Sequence, residues 1–345
     1  MPFKSCLGCF HGSKSTSFRK EAKPPIVYGL KPKEAPLAGY LMARAAMHQK
    51  IDGSVLKNLR AGHETVQEVN DLLPLGGGNV REDIRKAGEK RPDLRLLALS
   101  NMVKEVGCKP LITHGSRMTN HERYQMLAAT SQFTETGSCD FYAANTTTLH
   151  ASKLAGMKEK DAIVSQCSDP VVGHIWSEMI PRGKGPNGKL NLHDEDAIMD
   201  GWCKERVATL REDSAFAHLD NGNGDFLKHS YLLDHESGPR ALNQVKMFKA
   251  RIESSKDIRD GYHNEFNRLV TSNAELNEQS LWDAQSVFHG YFRQQAGAAL
   301  DKDAGHPSLA EIQAVGVARS LGSNIRGAVA EAPGIIASAK EMFST

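Results

Sequence analysis

Residues 136–142 read Thr136-Gly137-Ser138-Cys139-Asp140-Phe141-Tyr142, and the run from Cys139 to Leu154 has the pattern of a helix. Ser138 ends a small-residue turn, so the Cys139 thiol is expected at a helix N-terminus. Unpaired backbone N–H groups and the helix dipole there favour thiolate over thiol. Two stretches downstream supply what a thiolate needs. Val171-Val172-Gly173-His174-Ile175-Trp176 alternates as a strand, and the apolar run Ala197-Ile198-Met199 closes on Asp200. A nucleophile, a base and a carboxylate to orient the base would then converge from one helix and two strands. The expected fold class is α+β, and the expected chemistry is nucleophilic attack through sulfur by Cys139, His174 and Asp200.

Neighbouring residues fit that reading. Gln132 lies seven residues before Cys139, where its amide can join the Cys139 N–H in holding an oxyanion. His174 and Asp200 fall on adjacent strands of one expected antiparallel hairpin, a pairing that brings side chains into contact. Trp176 and Trp202 each follow a triad candidate by two positions and would share its face of the strand, lining the cleft with Ser138. The plainer alternative is a buried free cysteine, a core histidine and a strand-ending aspartate. Burial is the ordinary reading for Cys108, Cys167 and Cys203, because cysteine is among the most buried residue types.

At 345 residues and 40% apolar composition, the chain has room for two or three domains or one large core. Its net charge of +2 is unevenly placed, since residues 1–33 carry seven Lys/Arg against the single acid Glu21. That is a basic tail on a near-neutral body, not a nucleic-acid-binding body. The six cysteines (6, 9, 108, 139, 167 and 203) form no dense disulfide framework, which points to a reducing cytosol. No stretch approaches the ~18 consecutive apolar residues of a membrane span, and the N-terminus lacks the apolar core of a signal peptide.

Four regions follow. Residues 1–36 read as an unstructured basic tail for secretion or targeting. Residues 37–131 read as an N-terminal helical region, 132–235 as the catalytic core, and 236–345 as a C-terminal helical region. In the tail, Cys6 and Cys9 stand beside Phe3, Leu7 and Phe10 among lysines, a setting for S-acylation and attachment to an anionic leaflet. Leu73-Pro74-Leu75-Gly76-Gly77-Gly78-Asn79 reads as a tight turn, because the Lys-Ser/Thr of a phosphate loop is missing. Within the core, strands are expected over 162–166, 171–180 and 190–200, with a hairpin loop over 181–188. Asp220 to Asp225 fails the ligand spacing of a calcium loop, and His193-Asp194-Glu195-Asp196 reads as a solvated edge; no metal or cofactor is called for.

The chain also resembles the AvrPphE/HopX/XopE family of bacterial type III effectors, which is similar to the transglutaminase-like branch of papain-type cysteine enzymes. The resemblance rests on Leu37 to Leu41, Leu73 to Asn79, Gln132 to Cys139, His174 to Glu178, Met199 to Trp202, Glu212 to Ala217 and Ile312 to Gly322. These stretches cover the body in order and exclude the tail. The resemblance implies a papain/transglutaminase-like core with Cys139 as nucleophile, His174 as base and acid, and Asp200 as orienting carboxylate. It implies secretion into a plant cell, action in the host cytoplasm and a host protein as substrate, to which an acylated tail would add the host plasma membrane. The resemblance favours protease-like hydrolysis of an amide in that host protein; deamidase and transamidase chemistry share the acyl-enzyme step, and a non-catalytic host-binding role stands beside them. Where the family has Gly-Glu-His after the cysteine and Pro after the aspartate, this chain has Asp140-Phe141-Tyr142 and Gly201. Those departures bear on substrate preference and leave the triad intact.

Overall fold

The computed structural model describes residues 31–51, 53–108, 118–157, 159–169, 173–216 and 228–343. Cys6, Cys9, Val171, Val172 and the stretch from Asp220 to Asp225 lie outside the described residues. The fold is α+β. Six helices come first: α1 (Ala35–Ala46), α2 (Gly53–Leu72), α3 (Arg81–Ala87), α4 (Pro92–Cys108), α5 (Asn120–Thr134) and α6 (Cys139–Met157). Five strands follow, β1 (Ile163–Asp169), β2 (His174–Ile180), β3 (Ala197–Met199), β4 (Ala208–Leu210) and β5 (Lys228–Leu233). The chain then returns to helices α7 (Ser237–Ser254), α8 (Lys256–Thr271), α9 (Gly290–Ala304), α10 (Pro307–Ser320) and α11 (Ile325–Phe343). No helix among the described residues is long and apolar enough to cross a membrane.

The strands form one antiparallel sheet in the order β4-β3-β2-β1-β5. Helix α6 is buried against one face of it, and its polar residues are satisfied rather than solvated. Thr147 Oγ1 meets Ser177 Oγ at 2.9 Å, Thr148 Oγ1 meets the Tyr231 hydroxyl at 2.8 Å, and Thr146 Oγ1 donates to Tyr142 O at 2.9 Å. His150 is held between Thr65 Oγ1 at 2.9 Å and Met179 Sδ at 3.1 Å; burial pushes its pKa down to about 3, so it is a neutral core histidine.

The expected domain boundaries are not breaks in the core. One apolar cluster runs from Leu37 and Tyr40 on α1 through Val164 and Met179 in the sheet to Phe292, Ile335 and Phe343 near the C-terminus. Helix α1 lies so close to α11 that a Cβ on Gly39 would meet Ser338 Oγ at 2.9 Å, and Ser338 Oγ donates to Ala35 O at 2.9 Å. The boundary drawn at residue 132 falls inside α5. N- and C-terminal helices therefore build one layer together.

Two strand expectations need correction. The run expected over 190–200 is a strand only at Ala197–Met199. Residues 183–196 close on themselves through Asn191 N–H to Gly183 O at 2.8 Å and His193 N–H to Asp196 Oδ2 at 2.8 Å. The His193–Asp196 stretch is also not all solvated edge. Asp196 is buried, and burial pushes its carboxyl up to about 7. The hairpin turn does fall where expected, with Gly183 and Gly188 at φ +55 and +75.

Candidate active site

Cys139 is placed by the turn between α5 and α6. A capping box starts α5, with Thr119 Oγ1 accepting from Glu122 N–H at 3.2 Å and Glu122 Oε2 accepting from Thr119 N–H at 2.8 Å. The helix ends at Glu135, which adopts a left-handed φ of +63. Thr136-Gly137-Ser138 then redirects the chain, and Ser138 O accepts the first bonds of α6 from Phe141 N–H at 3.1 Å and Tyr142 N–H at 3.2 Å. The half-buried Cys139 is the first residue of α6.

The glycine turn clamps this bend. Leu75 N–H donates to Glu135 O at 3.1 Å, Gly78 N–H donates to Gly137 O at 3.0 Å, and Thr136 Oγ1 donates to Gly76 O at 2.7 Å. Only glycine fits so close an approach: a Cβ on Gly78 would stand 2.7 Å from Pro92 O, and one on Gly77 would stand 2.9 Å from Trp202 Nε1. The turn is thus a strut for the cysteine loop, in line with its reading as a turn rather than a phosphate cradle.

His174 opens β2, and Asp200 follows the last residue of β3. The register pairs Ser177 with Met199; continued outward, it sets Asp200 opposite Trp176 and diagonal to His174 on one face. Such diagonal neighbours have backbones about 7–8 Å apart, within reach of their side chains. The bridge is made: His174 Nε2 and Asp200 Oδ2 stand 2.5 Å apart, both residues buried. The Cys139 side chain stands close enough to the His174 ring to help hold its imidazolium. With Nε2 committed to Asp200, the nitrogen left for the thiol is Nδ1.

Asp200 is fixed from three sides. Its Oδ1 accepts from Trp202 N–H at 2.9 Å, and its Oδ2 accepts from Cys203 Sγ at 3.3 Å as well as from His174. Burial alone would disfavour an imidazolium at His174. The Asp200 charge and hydrogen bond, with the Cys139 contact, outweigh it and hold the His174 pKa up to about 10. The same burial, with Asp200 and Glu205 nearby, pushes the Cys203 thiol well above its ordinary value. Cys203 is therefore a neutral S–H donor to the carboxylate.

Both expected tryptophans cover the pair. Their rings lie 5.0 Å (Trp202) and 6.2 Å (Trp176) from that of His174, and Phe216 adds a third ring at 5.3 Å. Trp202 donates from Nε1 to Asn79 Oδ1 at 3.3 Å, joining the cage to the glycine turn. A groove beside the cage is lined by Trp202 and Cys203 together with Pro74, Gly76, Lys204 and Arg206.

Ser138 and Gln132 take other parts than those expected. Ser138 Oγ donates to Asp140 Oδ1 at 2.5 Å, and burial pushes the Asp140 carboxyl up against that bond. The acid after the cysteine is thereby tied into the first turn of α6. Gln132, expected at the oxyanion, donates from Nε2 to Asn145 Oδ1 at 2.8 Å. Asn145 in turn donates to Ser131 Oγ at 2.9 Å and Phe141 O at 2.8 Å, so the Gln132 amide ties α5 to α6. Sequence reasoning missed Cys203 and Phe216, whose parts depend on the bends after β3 and β4 and leave no periodic signal.

Two groups among the described residues bring metal-ligating atoms within 4.8 Å of one another: His174, Asp200 and Cys203, and Cys167, Glu178 and His229. In the first, the 2.5 Å between His174 Nε2 and Asp200 Oδ2 leaves no room for an ion. A zinc bound at about 2.0–2.1 Å holds such donors roughly 3.3 Å apart. That group is a hydrogen-bonded relay. No family model, curated protein or solved structure matches the chain.

Proposed function

We propose that the protein is a cysteine hydrolase or acyltransferase that attacks an amide of a protein substrate through Cys139. The observation that carries this reading is the His174 ring, with the Cys139 side chain beside it and Asp200 2.5 Å away, inside an aromatic cage. An imidazolium beside a thiol favours the thiolate. The sulfur adds to the amide carbon, and the oxyanion is met by the Cys139 N–H, one of the first-turn donors that no helix carbonyl accepts from. His174 gives its proton to the departing nitrogen, leaving an acyl-enzyme. Water, deprotonated by His174, then releases the acid and restores the thiol; an amine in its place yields a transamidated product. Asp200 holds the imidazole oriented throughout.

The architecture, with the cysteine opening a buried helix and the histidine and aspartate on the adjoining antiparallel sheet, supports a papain/transglutaminase-like core. Together with the resemblance to the AvrPphE/HopX/XopE effectors, it supports a type III effector acting on a host protein in the plant cell. In this reading the basic tail, S-acylated at Cys6 and Cys9, adds attachment to the host membrane.

The test is incubation of the purified protein with plant protein extract in ¹⁸O water, with and without dansylcadaverine. Hydrolysis or deamidation places ¹⁸O in new carboxyl groups, and transamidation places the dansyl amine on glutamine. Either signal, lost with Cys139→Ala, supports the acyl-enzyme. Equal signals from both proteins overturn it.

A further inference from the structure

A second constellation of reactive side chains sits on the sheet and is not used by the triad. Cys167 on β1 is paired with His229 on β5, and Ser165 on β1 is paired with Glu178 on β2. Residues 165 and 167 are two apart on one strand and so share a face, which gathers all four side chains into one patch. Cys167 Sγ lies 3.2 Å from His229 Nδ1 and 3.5 Å from Glu178 Oε2. Ser165 Oγ lies 3.1 Å from His229 Nδ1 and 3.8 Å from Cys167 Sγ.

Those separations have the scale of a coordination polyhedron. A tetrahedral zinc with sulfur at about 2.3 Å and nitrogen or oxygen at about 2.0–2.2 Å spaces its donor atoms roughly 3.3–3.6 Å apart. The sulfur, nitrogen and carboxylate set is also one that zinc prefers. Glu178 is already oriented: Arg211 donates to its Oε1, which leaves Oε2 turned to the thiol. Ligating carboxylates are commonly held by such an outer hydrogen bond. Cys167 and Glu178 are fully buried, while His229 is half-buried at the edge strand and gives a route from solvent.

We propose that Cys167 Sγ, Glu178 Oε2 and His229 Nδ1 bind one zinc ion, with Ser165 Oγ beside its fourth position. The ion replaces the thiol proton of Cys167, which leaves to solvent; the sulfur lone pair forms the new bond, and no electron is transferred. Metal-free, burial and Glu178 keep that thiol neutral. Metal-bound, three strands are stapled together, fixing β5 beside a β1 whose register shifts between Val164 and Gln166.

Cobalt(II) is the probe. The full chain, stripped with EDTA and desalted, is titrated with cobalt while its spectrum is recorded. The expected result is one equivalent of tetrahedral cobalt, with intense visible bands and a near-ultraviolet thiolate charge-transfer band, both erased by added zinc. Cys167→Ser removes the near-ultraviolet band, whereas Cys139→Ala and Cys203→Ser leave it. His229→Gln, at a half-buried position, weakens cobalt affinity tenfold or more with the circular dichroism unchanged. No band in the wild-type chain, a band that survives Cys167→Ser, or an affinity indifferent to His229→Gln overturns the proposal.

Discussion

Cys203 donates its thiol to Asp200 Oδ2 at 3.3 Å, the same oxygen that holds His174 Nε2 at 2.5 Å. One carboxylate oxygen thus serves the imidazole and a buried S–H together. With Trp202 N–H on Oδ1, the carboxylate cannot turn without breaking three bonds. Cys203→Ala removes one donor and leaves only the space of one sulfur atom. A fall in kcat of roughly threefold to tenfold with KM unchanged is expected, from loss of one modest hydrogen bond. Unchanged kinetics would make Cys203 a packing residue only.

Removing the charge of Asp200 has a larger effect. Asp200→Asn retains the shape and the Trp202 contact but loses the anion that holds the imidazolium. Loss of roughly 10²–10⁴ in kcat is expected, on the scale of the same change in serine triads. NMR titration should show the His174 pKa dropping well below about 10, since burial then acts without its counterweight. A variant with near-normal kcat would remove Asp200 from the chemistry.

The same pair makes stability depend on pH, with a definite sign. The folded pKa of His174, about 10, lies above the ordinary histidine value of 6.5. A histidine raised on folding contributes fully below the unfolded value and loses that contribution as pH rises through the folded one. Urea unfolding should therefore show His174-dependent stability present at pH 6 and declining from about pH 7 to 10. His174→Gln should flatten that slope. A His174-dependent gain of stability over the same interval would reverse the assignment.

Gln132 tests the tie between helices. Its Nε2 bond to Asn145 is a partly buried hydrogen bond, so Gln132→Ala should cost about 1 kcal/mol of stability. The alkylation rate of Cys139 should change little. A loss of 10²–10³ in kcat with stability intact would restore the amide to the oxyanion.

Gly78 tests the strut. A Cβ there would stand 2.7 Å from Pro92 O and 2.8 Å from Leu96 Cβ, and backbone cannot yield as a side-chain tip does. Gly78→Ala should lower stability by about 1–3 kcal/mol and depress activity by shifting the loop before Cys139. Thermal denaturation alongside thiol labelling measures both, and a neutral outcome would show that the turn tolerates movement.

Much of the site was legible because its parts obey local rules. Ser138-Cys139 reads as a helix start from the small-residue turn before it, and His174 to Ile180 shows strand alternation. The two-residue offset to Trp176 held because β2 is regular; Trp202 reached His174 by a different route, through a bend that bonds back to Asp200. Other parts were hidden. Strand β4 has only three residues, too few for a period, and β5 is half-exposed along its edge. In the last two helices Ile312, Ile325 and Val329 are exposed, at 69%, 65% and 49%, while Ala314, Ala318, Ala328 and Ala332 are buried. Close helix packing selects small residues there, so several large apolar side chains mark the wrong face even though Ile335 and Phe343 on the last helix are buried. The Gln132 tie was invisible for another reason: its partner Asn145 lies on a different helix, and no spacing announces the pair.

The most direct measurement is the rate of iodoacetamide alkylation at each cysteine, read by peptide mass spectrometry at neutral pH. Cys139 is half-buried beside His174, whereas Cys167 and Cys203 are buried with thiols pushed well above their ordinary value. The account predicts that Cys139 labels first, at least tenfold faster than either, and that His174→Ala removes most of that advantage. Labelling of Cys139 no faster than Cys167 and Cys203, or a rate indifferent to His174→Ala, would contradict an activated thiol at the head of α6.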